Sequence, residues 1–209
     1  MDSYVIADCL RFGRINKEVY LGGYRYNALQ NLTRARFFAA QNLVKEKQRF
    51  LNVLFKKYSS MTQEKVFSDT FSTTALAVYN EFESAEALTH MGLQELTGFI
   101  MEKRKNRFPH PDAVAKAIQK AARSSYRLPK TVNESVNQVL SISIASIKAL
   151  DAQTKEFDKA ISAQMQLLPN VLVSIPGIRP VISAGIMAEI GDINRFPDQA
   201  QLGKYADLA

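Results

Sequence analysis

Residues 24–58 read YRYNALQNLTRARFFAAQNLVKEKQRFLNVLFKKY, a run without glycine or proline. Leu29, Leu32, Ala39, Leu43, Phe50 and Leu54 recur in it at threes, fours and sevens, the period of one apolar helix face. The spacing predicts a single helix of roughly 35 residues, about 50 Å long at ~1.5 Å per residue. A rod of that length needs a partner along it, since a helix this long seldom finds a globular core to cover all of it. Its outer face is expected to carry Arg25, Arg34, Arg36, Lys45, Lys47, Arg49, Lys56 and Lys57. Tyr24, Tyr26, Phe37, Phe38, Phe50 and Phe55 interleave with these cations; core packing is the plainer role for such rings, and base stacking the alternative.

A second rod is expected from Thr131 to about Gln166, with Thr131 and Glu134 as a capping box at its start and Val136, Leu140, Ile147, Leu150, Phe157 and Ile161 as its seam. Between the rods the pieces are shorter: Ser72 to Phe82, Ser84 to His90, Leu93 to Lys105, and Asp112 to Tyr126 with Pro111 just ahead. Few prolines and glycines and plentiful Ala, Leu, Gln, Lys and Glu agree with helix. The fold expected is all-α, a long antiparallel coiled-coil hairpin with a small helical tip, followed near Leu168 by a segment of different composition. That last segment packs Pro176, Gly177, Pro180, Gly185, Gly191, Pro197 and Gly203 into a short stretch.

Charge is distributed unevenly. The net charge is +7. Residues 1–58 hold eleven Lys and Arg against four Asp and Glu, while residues 59–209 hold sixteen of each, so the whole excess lies in the first quarter. A concentrated positive field attracts a polyanion, and phosphate backbones are the commonest cytoplasmic ones. A merely solvated helix face is the alternative. The single cysteine, Cys9, has no partner for a disulfide or a sulfur-bound metal and is expected to be a small core residue. No apolar run approaches the roughly 20 residues needed to span a bilayer, and the expected location is the cytoplasm.

Two short motifs carry possible chemistry. Leu172-Val-Ser-Ile-Pro-Gly-Ile-Arg-Pro-Val-Ile-Ser-Ala-Gly-Ile186 has the form of a helix-hairpin-helix, in which Gly177, Ile178 and Arg179 would hold a DNA phosphate without reading sequence. A plain corner between helices is the alternative. At the N-terminus Asp2 caps a short helix whose face is Val5, Ile6, Cys9 and Leu10, and which ends at Arg11-Phe12-Gly13-Arg14 with Gly13 suited to a left-handed cap. Asp2 and Asp8 are six residues apart and point to different faces, so they cannot build a two-metal site by themselves. His90 and His110 stand alone, without ligand spacing or a nucleophile beside them.

The run from Met1 to Arg14 resembles the end of the catalytic domain of the DEDD-type insertion-sequence transposases, family one hundred and ten of the insertion sequences. Leu32-Thr-Arg-Ala-Arg36 and Glu46-Lys-Gln-Arg-Phe-Leu51 are similar to that family's long basic helix. Ser174-Ile-Pro-Gly-Ile178, Ala188 through Phe196, and Leu202-Gly-Lys-Tyr-Ala-Asp-Leu208 resemble the opening of its C-terminal transposase domain. The resemblance implies three parts: residues 1–21 as the end of an RNase H-like catalytic domain, 22–167 as a coiled-coil region, and 168–209 as the start of the C-terminal domain. It makes Asp2 the last acidic residue of the DEDD set, and so a catalytic and metal-binding position of an incomplete site.

The same resemblance implies a truncated or internal piece, missing the other acids and the serine-bearing segment and therefore catalytically incomplete. The full-length family implies Mg²⁺, DNA and a structured guide RNA as partners, and a homo-oligomer formed through the coiled coil. Arg11, Arg14, Arg25, Arg34, Arg36, Lys45, Lys47, Arg49, Lys56 and Lys57, with Gly177, Ile178 and Arg179, are the expected nucleic-acid contacts. Two other readings compete: a non-catalytic coiled-coil scaffold whose charges only solvate it, and a DNA-repair module using one helix-hairpin-helix.

Overall fold

The computed structural model describes residues 2–14, 23–103, 110–168 and 170–206, with Asp2 described in its backbone alone. Among these residues there are ten α-helices, two 3-10 turns and no strand, so the chain is all-α. Both rods are present as continuous helices: α2 spans Tyr24–Lys57 and α8 spans Lys130–Met165, beside the shorter α1, Asp2–Arg11. The chain divides into two compact units, residues 35–158 and residues 1–34 together with 159–209.

The unit of residues 35–158 contains the later part of α2, then α3 (Ser59–Gln63), α4 (Thr73–Glu81), α5 (Ala85–His90), α6 (Leu93–Lys103), α7 (Pro111–Ser124) and the earlier part of α8. Local chemistry sets these boundaries. Ser72 and Ser84 accept from the backbone N–H of Ala75 and Ala87, at 3.3 and 3.0 Å, and so cap α4 and α5. Pro111 occupies the first position of α7, where its missing N–H costs nothing.

Phe50, Leu54, Tyr58, Tyr79, Leu88, Leu96, Ile100, Ile118 and Leu140 are almost wholly enclosed and form one core. Each such side chain contributes roughly 1.5–3 kcal/mol on leaving water. Several buried polar ends are bonded: the Tyr58 hydroxyl donates to Phe82 O at 2.9 Å, and Ser59 and Ser125 accept from the backbone N–H of Tyr126 and Ser60. Within this unit α2 and α8 run antiparallel, because Glu46 accepts from Ser143 at 2.5 Å while Arg36 donates to Asp158 at 2.9 Å.

The start of α8 differs from the capping-box expectation. The helix begins at Lys130, and the Pro129 carbonyl accepts from Asn133 N at 2.9 Å, so Thr131 lies inside the first turn. Asn133 and Asn137 instead donate to Glu83 O, at 2.6 and 2.8 Å, and tie the helix to the chain between α4 and α5. A distant carbonyl thus organises this terminus where local spacing pointed to Thr131.

The other unit has a smaller core, Leu29 of α2, Ile161 and Met165 of α8, and Ala184 and Ala188 of α9 (Pro180–Ile190). The alanines let α9 approach closely. Helix α10 (Gln199–Tyr205) follows, capped by Asp198, which accepts from Gln201 N at 2.8 Å. At the N-terminus α1 ends as its sequence predicts: Gly13 has φ +59°, Arg14 N donates to Cys9 O and Gly13 N to Leu10 O, a Schellman closure. Its apolar residues Tyr4, Val5, Ile6 and Leu10 are exposed, and Cys9 is half-buried, so Cys9 is not the core residue expected of it. An apolar face needs an opposing surface to become core, and sequence reports only the face. No helix among the described residues is long and apolar enough to cross a membrane.

Candidate nucleic-acid interface

The expected seam of α2 is its buried face: Leu29, Ala39, Phe50 and Leu54 are enclosed, and Leu32 and Leu43 partly so. Burial of that seam turns other positions outward. In the unit of residues 35–158, Phe38, Asn42, Lys45, Arg49, Asn52 and Lys56 are all exposed and follow one another at alternating fours and threes, so they lie along one helix face. No acidic residue interrupts this row. Arg49 keeps 77 % of its side chain exposed while reaching Glu46 at 3.6 Å one turn back, a surface contact that holds it loosely. From Lys45 to Lys56 the row extends about 16 Å at ~1.5 Å per residue, long enough to follow several phosphates of one strand.

The aromatics divide in two. Phe50 belongs to the core, whereas Phe37 and Phe38 are more than half exposed and Phe55 stands edge-on to the exposed ring of Tyr126, with centroids 6.5 Å apart. Lys47 is half-buried, its ammonium 4.8 Å from the Phe71 ring centroid.

Three of the expected contact residues are engaged inside the protein. Lys57 is only 2 % exposed, a correction to its expected place on the outer face. It stands three positions after Leu54 and seven after Phe50, hence on the seam. Its ammonium donates to Tyr79 O at 2.9 Å and lies 5.0 Å from the Tyr58 ring centroid. Burial pushes its pKa down to about 8, against the opposing pull of Glu83. Arg36 is likewise on the seam and held by Asp158.

Arg34, in the other unit, makes a two-pronged bond to Glu189 of α9, with Nε and the terminal nitrogen each 2.8 Å from a carboxylate oxygen. Gln30 adds a third donor to Glu189 at 2.9 Å. The bond to Arg34 is the main reason the Glu189 carboxyl is held below its ordinary pKa. Arg25 is exposed, with one nitrogen 3.5 Å from Leu167 O, and Arg11 and Arg14 are exposed beside the Phe12 ring.

Around Gly177 the chain makes a tight turn, with φ +93° and Ile178 N donating to Ile175 O at 3.1 Å. The Ile178 N–H is therefore used within the turn, and Pro180, first in α9, has none to offer. What precedes the turn is one 3-10 turn, Leu172–Ser174, in place of the first helix of a hairpin. Gly177 and Arg179 are exposed and Ile178 is half-buried. A cavity of about 790 Å³ between α9 and α10, lined mainly by apolar groups including Ile186, Ile190 and Leu202, has no local sequence signal, because the two helices that form it are assembled only in the fold.

Asp2 opens α1, and its side chain lies outside the described residues; Asp8 is exposed on the same helix. No three His, Cys, Asp or Glu side chains converge among the described residues.

Residues 170–209 match the family model described as the transposase of the IS116/IS110/IS902 family. The whole chain is similar to the insertion element IS116 uncharacterized 44.8 kDa protein of Streptomyces clavuligerus, at 27 % identity over 219 residues. The chain spans about half of that relative, 51 % of its length. No solved structure matches the chain. The end motifs read from the sequence and these two similarities point the same way: residues 170–209 match the transposase model of the IS116/IS110/IS902 family, and the whole chain is similar to an IS116 protein.

Proposed function

We propose that these 209 residues supply nucleic-acid binding to a transposase that moves an insertion element, with the outward row Lys45, Arg49 and Lys56 as the principal phosphate contacts. The observation that carries this reading is that the row is exposed and free of acids while other cations of the same helix are spent on protein partners. Each phosphate neutralised by such a cation releases condensed counterions, which gives affinity without sequence preference and makes it fall with salt. Exposed Phe37 and Phe38 beside the cations suit unpaired bases, so a structured guide RNA is a partner of this reading alongside DNA.

Strand transfer belongs, in this reading, to the full-length family protein, where Mg²⁺ held by converging carboxylates would activate the attacking oxygen. Asp2 is proposed as one of those carboxylates. The protein is proposed to act as a homo-oligomer through its long helices, and Arg179 to add a weaker contact beside Gly177.

Titrating the purified chain with duplex DNA and with folded RNA across a salt series tests this. The expected result is a log–log slope of about −3 or steeper on the duplex and no Mg²⁺-dependent joining of DNA ends. A flat salt dependence removes the binding role. Joining activity that disappears in Asp2→Ala removes the division of labour.

A further inference from the structure

Helix α7 packs one face and leaves the other bare. Ala115, Ile118, Ala121 and Ala122 are buried in the core of residues 35–158. On the opposite side Lys116, Lys120 and Arg123 are exposed and follow one another at intervals of four and three, so they form one row about 10 Å long at ~1.5 Å per residue. Among the described residues none of the three has a carboxylate partner. No acidic residue stands between Asp112, at the start of the helix, and Glu134, while Arg127 and Lys130 continue the exposed cations beyond it. The neutral balance of residues 59–209 conceals this local excess. The end of the row is pinned beside α2: Ser60 N–H donates to the Ser125 hydroxyl at 3.3 Å, and Tyr126 N–H to the Ser59 hydroxyl at 3.2 Å. Tyr126 thereby lies edge-on to Phe55 of α2, the two rings 67 % and 38 % exposed. Phe55 is three positions after Asn52 and adjoins Lys56, so the ring pair links the row of α2 to the end of the row of α7.

We propose that Lys116, Lys120 and Arg123 hold the phosphates of an unpaired DNA strand, one of whose bases lies on Tyr126. The proposal rests on the reading of α2 above as a DNA contact and extends it to a second element. Charge complementarity selects a polyanion. A lipid surface does not fit, because a helix lying in a membrane inserts its apolar face, and that of α7 is spent in the core. The ring selects the unpaired state: Tyr126 stacks only on a base whose face is open, and a duplex keeps each face covered by its neighbours. Continuity with the row of α2 selects the same molecule, a strand carried past Lys56 out of its duplex.

The test titrates the whole chain with oligo(dT) and with a blunt duplex of equal length across a salt series. Lys116→Gln, Lys120→Gln and Arg123→Gln together are expected to make the log–log slope on oligo(dT) shallower by about 2, at ~0.7 for each phosphate of a single strand, and to leave the slope on the duplex unchanged. Tyr126→Ala is expected to weaken oligo(dT) binding at least about fivefold, and Tyr126→Phe to keep it. Helix content stays that of the parent in all these variants, because the altered side chains are exposed. A slope on oligo(dT) that the triple substitution leaves as it was, in a chain whose duplex binding still falls with salt, overturns the row of α7 alone. A chain that binds neither probe overturns the reading of α2 with it. An equal loss on the duplex overturns the unpaired strand as the occupant, and oligo(rU) bound more than about tenfold tighter than oligo(dT) overturns DNA.

Discussion

The two compact units hold themselves together by different means. Residues 35–158 rely on large enclosed rings and aliphatics, with Tyr79 lying against both Phe50 and Tyr58 at centroid distances near 6 Å. The unit formed by residues 1–34 and 159–209 has a core of few residues, two of them alanines, and adds the fork between Arg34 and Glu189. Both units draw cations of α2 into structure, Arg36 and Lys57 within residues 35–158 and Arg34 in the other unit, while Lys45, Arg49 and Lys56 are left to solvent. A count of positive charge along the rod therefore overstates what is available to a polyanion, and the partition between the two uses is decided by packing.

Phe50→Ala gives the largest effect that would sharpen this contrast. Removing an enclosed ring is expected to destabilise the chain by about 3–5 kcal/mol in chemical denaturation. A loss below about 1 kcal/mol would show that the aromatic core is not what holds residues 35–158 together.

Lys57 gives the next. Its pKa is depressed from 10.5 to about 8, so between these values the unfolded chain binds more protons and stability rises with pH. The burial of Tyr58 and Tyr79 raises their pKa values above the ordinary 10.0, so above pH 10 stability falls again as the unfolded tyrosines ionise. Thermal denaturation should therefore show stability rising from about pH 8 to a maximum near pH 10. Lys57→Met should remove the rising limb and stabilise the chain near neutrality by about 1–3 kcal/mol. An unchanged profile in that variant would place the ammonium in water.

The smallest effect belongs to the fork. Arg34 and Glu189 are about half exposed, so Arg34→Gln should lower the melting temperature slightly, and less at high salt. Glu189 has a depressed pKa, so its contribution is complete above the ordinary carboxylate value of 4.5 and is lost as pH falls through the folded-state value. The difference between Arg34→Gln and parent should accordingly vanish in acid. A difference that persists there would mean that Arg34 acts through packing.

Local signals make much of this fold readable. The seam of α2, the serine caps of α4 and α5, Pro111 at the head of α7 and the left-handed Gly13 all follow from residues within a turn or two of one another. What the sequence hides lies between distant residues. Glu189 stands 155 positions from Arg34, and Glu83 fixes the start of α8 from 50 positions away. Lys57 departs from its expected place because an ammonium on a helix is ordinarily solvated, although its interval from Phe50 and Leu54 puts it on the buried seam. The same intervals, measured from the seam, leave the candidate phosphate-binding residues Lys45, Arg49 and Lys56 exposed, as expected of them.

The distinction between free and engaged cations of one helix is tested most directly by paired salt titrations on a DNA duplex. Replacing Lys45, Arg49 and Lys56 by Gln together should make the slope of log affinity against log salt shallower by about 2–3, at ~0.9 for each phosphate no longer neutralised. Arg34→Gln with Lys57→Met should leave the slope as it is in the parent chain. An equally shallow slope from both sets of substitutions, or a shallower slope from the second set alone, would contradict the account.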